Sequence, residues 1–522
     1  MNSPSNATAL LRSLVTYAIC VPLAIFVGYL LTNPLNYSTL GTFGVLALLL
    51  VSPLLIRWHY PMLVLSLQMA LSVFFIKGAP ALGLVMTALS LGMSVLDRTM
   101  NPNRHFIRAP QITWPLVALA VVILFTAKLT GGIGLHVLGS DVYGGKKYVY
   151  LALGILLYFA LSARRIPPER AKFYLTLYFA GGMLTFISDL YPIAPHWATP
   201  IFLFFQPSMG YGTYYELGET RLAGFSVAGV ALSNLIMARY GIRGILFPVK
   251  PWRLAFFILS ILMILLGGYR GFIFVVGLTF TLLFFLEGLH RTKLLPLLIF
   301  FGVFAFVILI PTASRLPFTF QRTVAFLPLH LDPYARESAQ TTLNWRIQMW
   351  TALLPQVSQH LLLGKGLAIA PQDFNTLMGV DSAIGVAGGD FDASQNQLAL
   401  SYDYHNGPLS VLIPFGIWGA VAFLWFVAAS LRVLRANFRY GDPALQTVNA
   451  FLFGCFLALL ITFVFVGGGL NGDLMRFTGI VGLSVAFNGG ACRPSPQPVP
   501  GTAETVGTLS PMRPRLQPVF PR

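Results

Sequence analysis

Arg221, Arg270, Arg346, Lys365 and His405 are the residues of this chain best placed for chemistry, each at the end of an apolar run or inside the one long polar segment. A guanidinium is planar, permanently charged and able to hold phosphate oxygens through paired N–H donors. An ammonium offers a point charge, and an imidazole with an unperturbed pKa of ~6.5 takes up and returns a proton near neutrality. The set suits a phosphate-bearing substrate and a proton in transit.

Arg270 is the only charge between Leu254 and Leu286, and one helix over that stretch would be about 50 Å long, too long for a single bilayer crossing. The run must turn back midway, at Gly267-Gly268-Tyr269-Arg270-Gly271, which puts Arg270 at the depth of the outer lipid phosphates. Arg221 precedes another apolar run, with Glu216 and Glu219 close enough in sequence to pair with it. In the polar segment, Thr341 to Trp350 reads as a capped helix start, with Trp345, Met349 and Leu353 on one face and Arg346 and Trp350 on another. Gly364-Lys365-Gly366 follows. Tyr402-Asp403-Tyr404-His405-Asn406-Gly407 then closes the segment at the membrane surface, where Asp403 or Asn406 can orient the imidazole. Plainer readings exist: Arg270 as a snorkelling interfacial side chain, Arg221 as an ion-pair partner, His405 as an interfacial or capping residue. Arg315, Arg322 and Arg336 read as solvated loop charges.

Positioning these groups falls to a membrane. Hydrophobic residues make up 56% of the 522 positions and charged residues 10%, with a mean hydropathy of +0.73, far from the roughly 25% charged content of soluble domains. Spans are expected near 14–32, 39–56, 60–76, 79–96, 114–131, 148–163, 173–190, 223–238, 254–268, 271–287, 294–311, 408–431, 447–469 and 475–489, with a re-entrant piece at 197–208. Only structures that satisfy their own backbone survive in lipid, so the runs read as helices. The expected fold is an all-α polytopic membrane protein of about 12–14 transmembrane helices with one large extracytoplasmic loop domain.

Lys and Arg number 34 against 17 Asp and Glu. Threading the spans with the N-terminus inside places the whole basic excess on the cytoplasmic face, as the positive-inside rule expects. The net charge of +17 then reports orientation, and no nucleic acid partner is needed to explain it. The three cysteines, Cys20, Cys455 and Cys492, make neither a disulfide framework nor a metal-type spacing. The first span, with Arg12 before it and no small-residue cleavage site, is expected to be retained.

Four regions follow: an N-terminal transmembrane bundle (1–311), an extracytoplasmic loop domain (312–407), C-terminal transmembrane helices (408–490) and a cytoplasmic tail (491–522). The loop is too long to lack structure of its own, so a small folded domain or a lid is expected. The tail holds eight prolines and reads as disordered.

An arginine-and-tryptophan helix, a Gly-x-Gly turn, then His405-Asn406 leading into a span with Gly416 and Gly419, resembles the O-antigen ligase and polymerase superfamily. Arg221 with Gly224, and Arg270 in Tyr-Arg-Gly, fall where that family also carries arginines, and the likeness covers roughly residues 200–440. The resemblance implies a glycosyltransferase that moves a glycan from a polyprenyl (undecaprenyl) pyrophosphate carrier to an acceptor hydroxyl outside the cytoplasmic membrane. The acceptor would be a lipid A core, a growing glycan or another hydroxyl. Under it, Arg221, Arg270 and His405 are the catalytic set, and Trp345, Arg346, Lys365, Asp403 and Asn406 contact substrate. His405 would relay the acceptor's proton or bind the pyrophosphate. No metal or other cofactor is implied, since arginines stabilise the leaving pyrophosphate in place of a divalent ion. Asp390-Phe-Asp392 has carboxylate spacing for a metal but sits in a Gly/Ala/Ser-rich stretch, 373–396, that departs from the family pattern and bears on the acceptor. The competing reading is a polytopic transporter or lipid flippase, which usually carries mid-membrane ionisable residues that are few here.

Overall fold

The computed structural model describes residues 37–494 except 77, 102, 104, 132–143, 208–221, 248–249, 370–401 and 403, together with eight positions between Tyr17 and Tyr29. Every long described element is a helix. In chain order they are α1 (Tyr37–Ser66), α2 (Leu82–Met100), α3 (Pro110–Thr130), α4 (Gly145–Ser162), α5 (Pro168–Met183), α6 (Ala223–Leu246), α7 (Pro251–Leu266), α8 (Arg270–Leu286), α9 (Leu294–Thr312), α10 (Phe318–Thr323), α11 (Pro333–Gln359), α12 (Gly407–Tyr440), α13 (Gln446–Phe465) and α14 (Leu470–Asn488). The protein is an all-α polytopic membrane protein. Among the described residues, six helices are long and apolar enough to cross a bilayer, and α7 and α8 are shorter apolar helices.

Lipid is the solvent this surface is built for. Along α9 only Leu294 is buried, and Phe300, Phe301, Val303 and Phe304 lie exposed. A soluble protein does not present so long an apolar stripe to water. Between helices, small residues permit close approach: a Cβ on Gly229 of α6 would lie 2.6 Å from the Ser260 carbonyl of α7. Buried hydroxyls bridge helices as well, Thr478 of α14 donating to the Gly154 carbonyl of α4 at 2.7 Å.

Two expectations change. The spans at 39–56 and 60–76 form one helical stretch, α1, and the chain from Leu67 to Ala81 is largely irregular. There Gly78 and Ala79 take positive φ and Pro80 lacks an N–H. That backbone pairs with itself instead, Leu82 N–H to the Leu71 carbonyl and Val73 N–H to the Pro80 carbonyl. The piece at 197–208 contributes one helical turn, Ile201–Phe204, whose Phe204 carbonyl accepts from Ser72 N–H.

In the polar segment α11 begins at Pro333, earlier than the expected start at Thr341. Asp332 caps it by accepting the Tyr334 N–H at 2.8 Å, and Pro333 presets the first helical φ. Thr341 and Asn344 carry capping side chains but sit mid-helix. α10 packs on α11 and on α7, which seats the segment over the α7–α8 turn. The tail beyond residue 494, the stretch 373–396 with Asp390 and Asp392, and most of the first expected span lie outside the described residues.

Candidate active site

One end of the bundle gathers the joins near Ile107, Ser162, Ile166, Ala486 and Cys492, tied by Ile107 N–H to Ser162 O, Ile166 N–H to Ala486 O and Cys492 N–H to Asn437 Oδ1. Arg270, Arg346, Lys365, His405 and Asn406 all lie at the opposite end. Arg221 and Asp403 are outside the described residues. Trp345 lies on α11 immediately before Arg346.

α11 draws the site together. Arg270 opens α8, half-buried, and its Nη2 donates to the Ala339 carbonyl of α11 at 2.9 Å. Seven residues on, about two helical turns, Arg346 Nη1 donates to the Val466 carbonyl at 3.0 Å. One further turn along, Trp350 Nε1 donates to the Tyr404 carbonyl at 2.9 Å. Met349 and Leu353 are buried beneath the helix, as their spacing predicts. Arg346 and His405 border one point: a Cβ on Gly467 would lie 3.8 Å from Arg346 Nη1 and 3.9 Å from His405 Cβ.

The backbone around His405 is strained. Tyr402 and His405 have φ of 56° and 45°, left-handed values that a bulky L-residue adopts at a cost of order 1–3 kcal/mol each. Anchors on both sides hold that shape. Tyr402 hydroxyl donates to the Ala368 carbonyl at 2.7 Å, and Tyr404 is 1% exposed, its burial pushing the phenol well above its ordinary pKa. Asn406 is spent on structure, its side chain accepting the Leu409 N–H as the cap of α12.

The Gly-x-Gly turn and the glycines of α12 prove to be one device. α12 breaks at Gly416 (φ 61°, ψ −161°), a conformation essentially reserved for glycine, and the break strips helical partners from the carbonyls before it. Lys365 N–H then donates to Ile413 O and Gly366 N–H to Pro414 O, while Ile417 N–H turns to Leu361 O. A polar turn thus repairs a broken helix where water is scarce. It also fixes the direction in which Lys365 leaves the backbone.

One residue was missed by composition and spacing. Arg322, expected as a solvated loop charge, is 7% exposed on α10, whereas Arg315 and Arg336 are exposed. Its neighbour Gln321 bonds the carbonyls of Ser314 and Leu316 and the N–H of Asp332. Only the packing of α10 shows this, since a six-residue helix carries too few apolar residues to announce a buried face.

The described site therefore consists of guanidiniums, an ammonium and an imidazole on a strained segment, arranged along one helix at one face of a membrane bundle. Residues 255–424 match the family model described as O-antigen ligase. No curated protein matches the chain. The matched segment contains Arg270, Arg346, Lys365 and His405 and ends within α12.

Proposed function

We propose that this protein, whose residues 255–424 match the O-antigen ligase family model, is a membrane glycosyltransferase that moves a glycan from polyprenyl pyrophosphate to an acceptor hydroxyl outside the cytoplasmic membrane. The observation that carries the reading is the run of α11 contacts, Arg270 at Ala339, Arg346 beside His405, and Trp350 holding Tyr404.

In the proposed reaction the acceptor oxygen attacks the anomeric carbon. The bond from that carbon to the pyrophosphate oxygen breaks, and polyprenyl pyrophosphate leaves with the electron pair. His405 takes the hydroxyl proton and passes it to solvent. Negative charge grows on the departing pyrophosphate, and Arg270 and Arg346, joined by Arg221, neutralise it through charge-assisted hydrogen bonds. One N–H of Arg270 is committed to Ala339, which holds the guanidinium plane while other donors of its five face the substrate. Fixed guanidiniums take the part a divalent ion plays in other transferases, so the reaction is metal-independent. In this reading the loop lies outside and both termini inside, in keeping with the positive-inside rule applied to the joins.

The test is reconstitution. Purified protein in lipid, given a polyprenyl-pyrophosphate glycan and chelator, is expected to release polyprenyl pyrophosphate and glycosylate an acceptor. Transfer to a lipid A core supports a ligase, and extension of the glycan itself a polymerase. Strict dependence on a divalent ion overturns the arginine mechanism, and movement of the donor across vesicles without transfer favours a flippase.

A further inference from the structure

Arg270 is held at its head by the Ala339 carbonyl of α11, while its backbone is set by the turn between α7 and α8. That turn rests on the first turn of α6. Ser226 hydroxyl donates to the Ile264 carbonyl at 2.9 Å, close to the end of α7. A Cβ on Gly267 would strike Ser226 Oγ and come 2.8 Å from the Leu222 carbonyl, so the two backbones meet where only glycine fits. Gly268, at φ 67°, then reverses the chain two residues before Arg270.

The first turn of α6 is itself fixed from another part of the chain. After α5 the backbone tightens into a 3-10 helix, Leu184–Ile193, which carries Asp189 at 4% exposure. Asp189 Oδ2 accepts the Phe225 N–H at 2.7 Å, and Thr185 hydroxyl, four residues earlier, donates to the Gly224 carbonyl at 2.9 Å. The Phe225 amide is one of those at a helix start that find no carbonyl within the helix. Leu222, at the cap position, has no side-chain oxygen to offer it. Asp189 therefore supplies, across 36 positions, what a capping residue supplies locally. A carboxylate also complements the positive end of the helix dipole. Among the described residues Asp189 is the one buried acid, and its stretch, Pro168–Ile193, is apolar enough to cross the bilayer. Ionisable groups are costly there and are kept for function.

We propose that Asp189 is a positioning residue for Arg270. It caps α6, α6 seats the α7–α8 turn through Ser226 and Gly267, and the turn aims the guanidinium that Ala339 holds from the other side. Asp189 acts through backbone and touches no substrate. The inference deepens the transferase reading above and rests on it.

The test compares full-length variants in nanodiscs, per folded molecule, in transfer from a polyprenyl-pyrophosphate glycan and in amide hydrogen exchange. Asp189→Ala should lower kcat about tenfold or more and leave the donor KM within about twofold, because a displaced guanidinium stabilises the leaving charge poorly. Asp189→Asn, whose amide oxygen still accepts the Phe225 N–H, should return kcat to within about threefold of the parent. In an Arg270→Ala background, Asp189→Ala should cost less than about twofold, since the group it positions is gone. Exchange at 222–226 and at 266–270 should quicken together in the alanine variant. Parent kcat in Asp189→Ala overturns the proposal, as does an asparagine variant as slow as the alanine one, or a full loss in the Arg270→Ala background. Should Asp189→Ala fail to fold, Ser226→Ala cuts the same relay at its next link and is expected to lower kcat by roughly threefold or more, with parent kcat again overturning the proposal. A protein whose two segments loosen together but which transfers no glycan would sink the transferase reading and leave the relay standing.

Discussion

Trp350 Nε1 donates a 2.9 Å hydrogen bond to the carbonyl of Tyr404, the residue immediately before His405. A helix of the polar segment thereby sets the position of a loop 54 residues further along the chain. Trp350→Phe keeps the ring volume roughly and removes only the donor. The expected cost is about 1 kcal/mol in stability, read by thermal melting in detergent. Transfer should fall further, by roughly tenfold or more, because a base displaced by an ångström is a poor base. Unchanged turnover in a normally folded variant would show that the imidazole needs no such anchor.

His405 is expected to separate function from stability. At φ 45° a glycine relieves strain that histidine bears, so His405→Gly should melt at or above the parent temperature while transfer is abolished. His405→Ala should also abolish transfer without that relief. A glycine variant that still transfers glycan would remove His405 from the mechanism.

Arg270→Ala should lower transfer by about 10²–10³-fold or abolish it, the scale of losing one preorganised charge-stabilising group. Arg270→Lys is expected to recover only part, because an ammonium cannot hold the Ala339 carbonyl and a phosphate through one rigid plane. Kinetics with saturating donor decide this. Equal activity of the lysine and parent proteins would mean that charge alone suffices.

Gly416→Ala should destabilise the protein by at least about 1–3 kcal/mol, since the new Cβ meets the Leu361 carbonyl at 2.7 Å and the backbone angles are foreign to alanine. The Lys365 turn would shift with it. Thermal melting and acceptor binding report the two effects separately, and a neutral melting temperature would contradict the description of the α12 break.

The amino-acid sequence alone determined the helical, lipid-embedded architecture and most helix limits, because hydropathy over about 20 residues and glycine or proline at the turns are local signals. It also marked Arg270, Arg346, Lys365 and His405, whose charges are conspicuous in a chain with only 10% charged residues. Tertiary structure decided what each of them touches. Arg346 meets Val466 across 120 positions, and Lys365 repairs a break in α12 that the separate motifs Gly364-Lys365-Gly366 and Gly416 give no reason to connect. Asn406 turned out to be a cap, and Arg322 to be buried. The reason is physical: a side chain's type follows from the chain, but its partners follow from helices packed by contacts far apart in sequence, which no local period encodes.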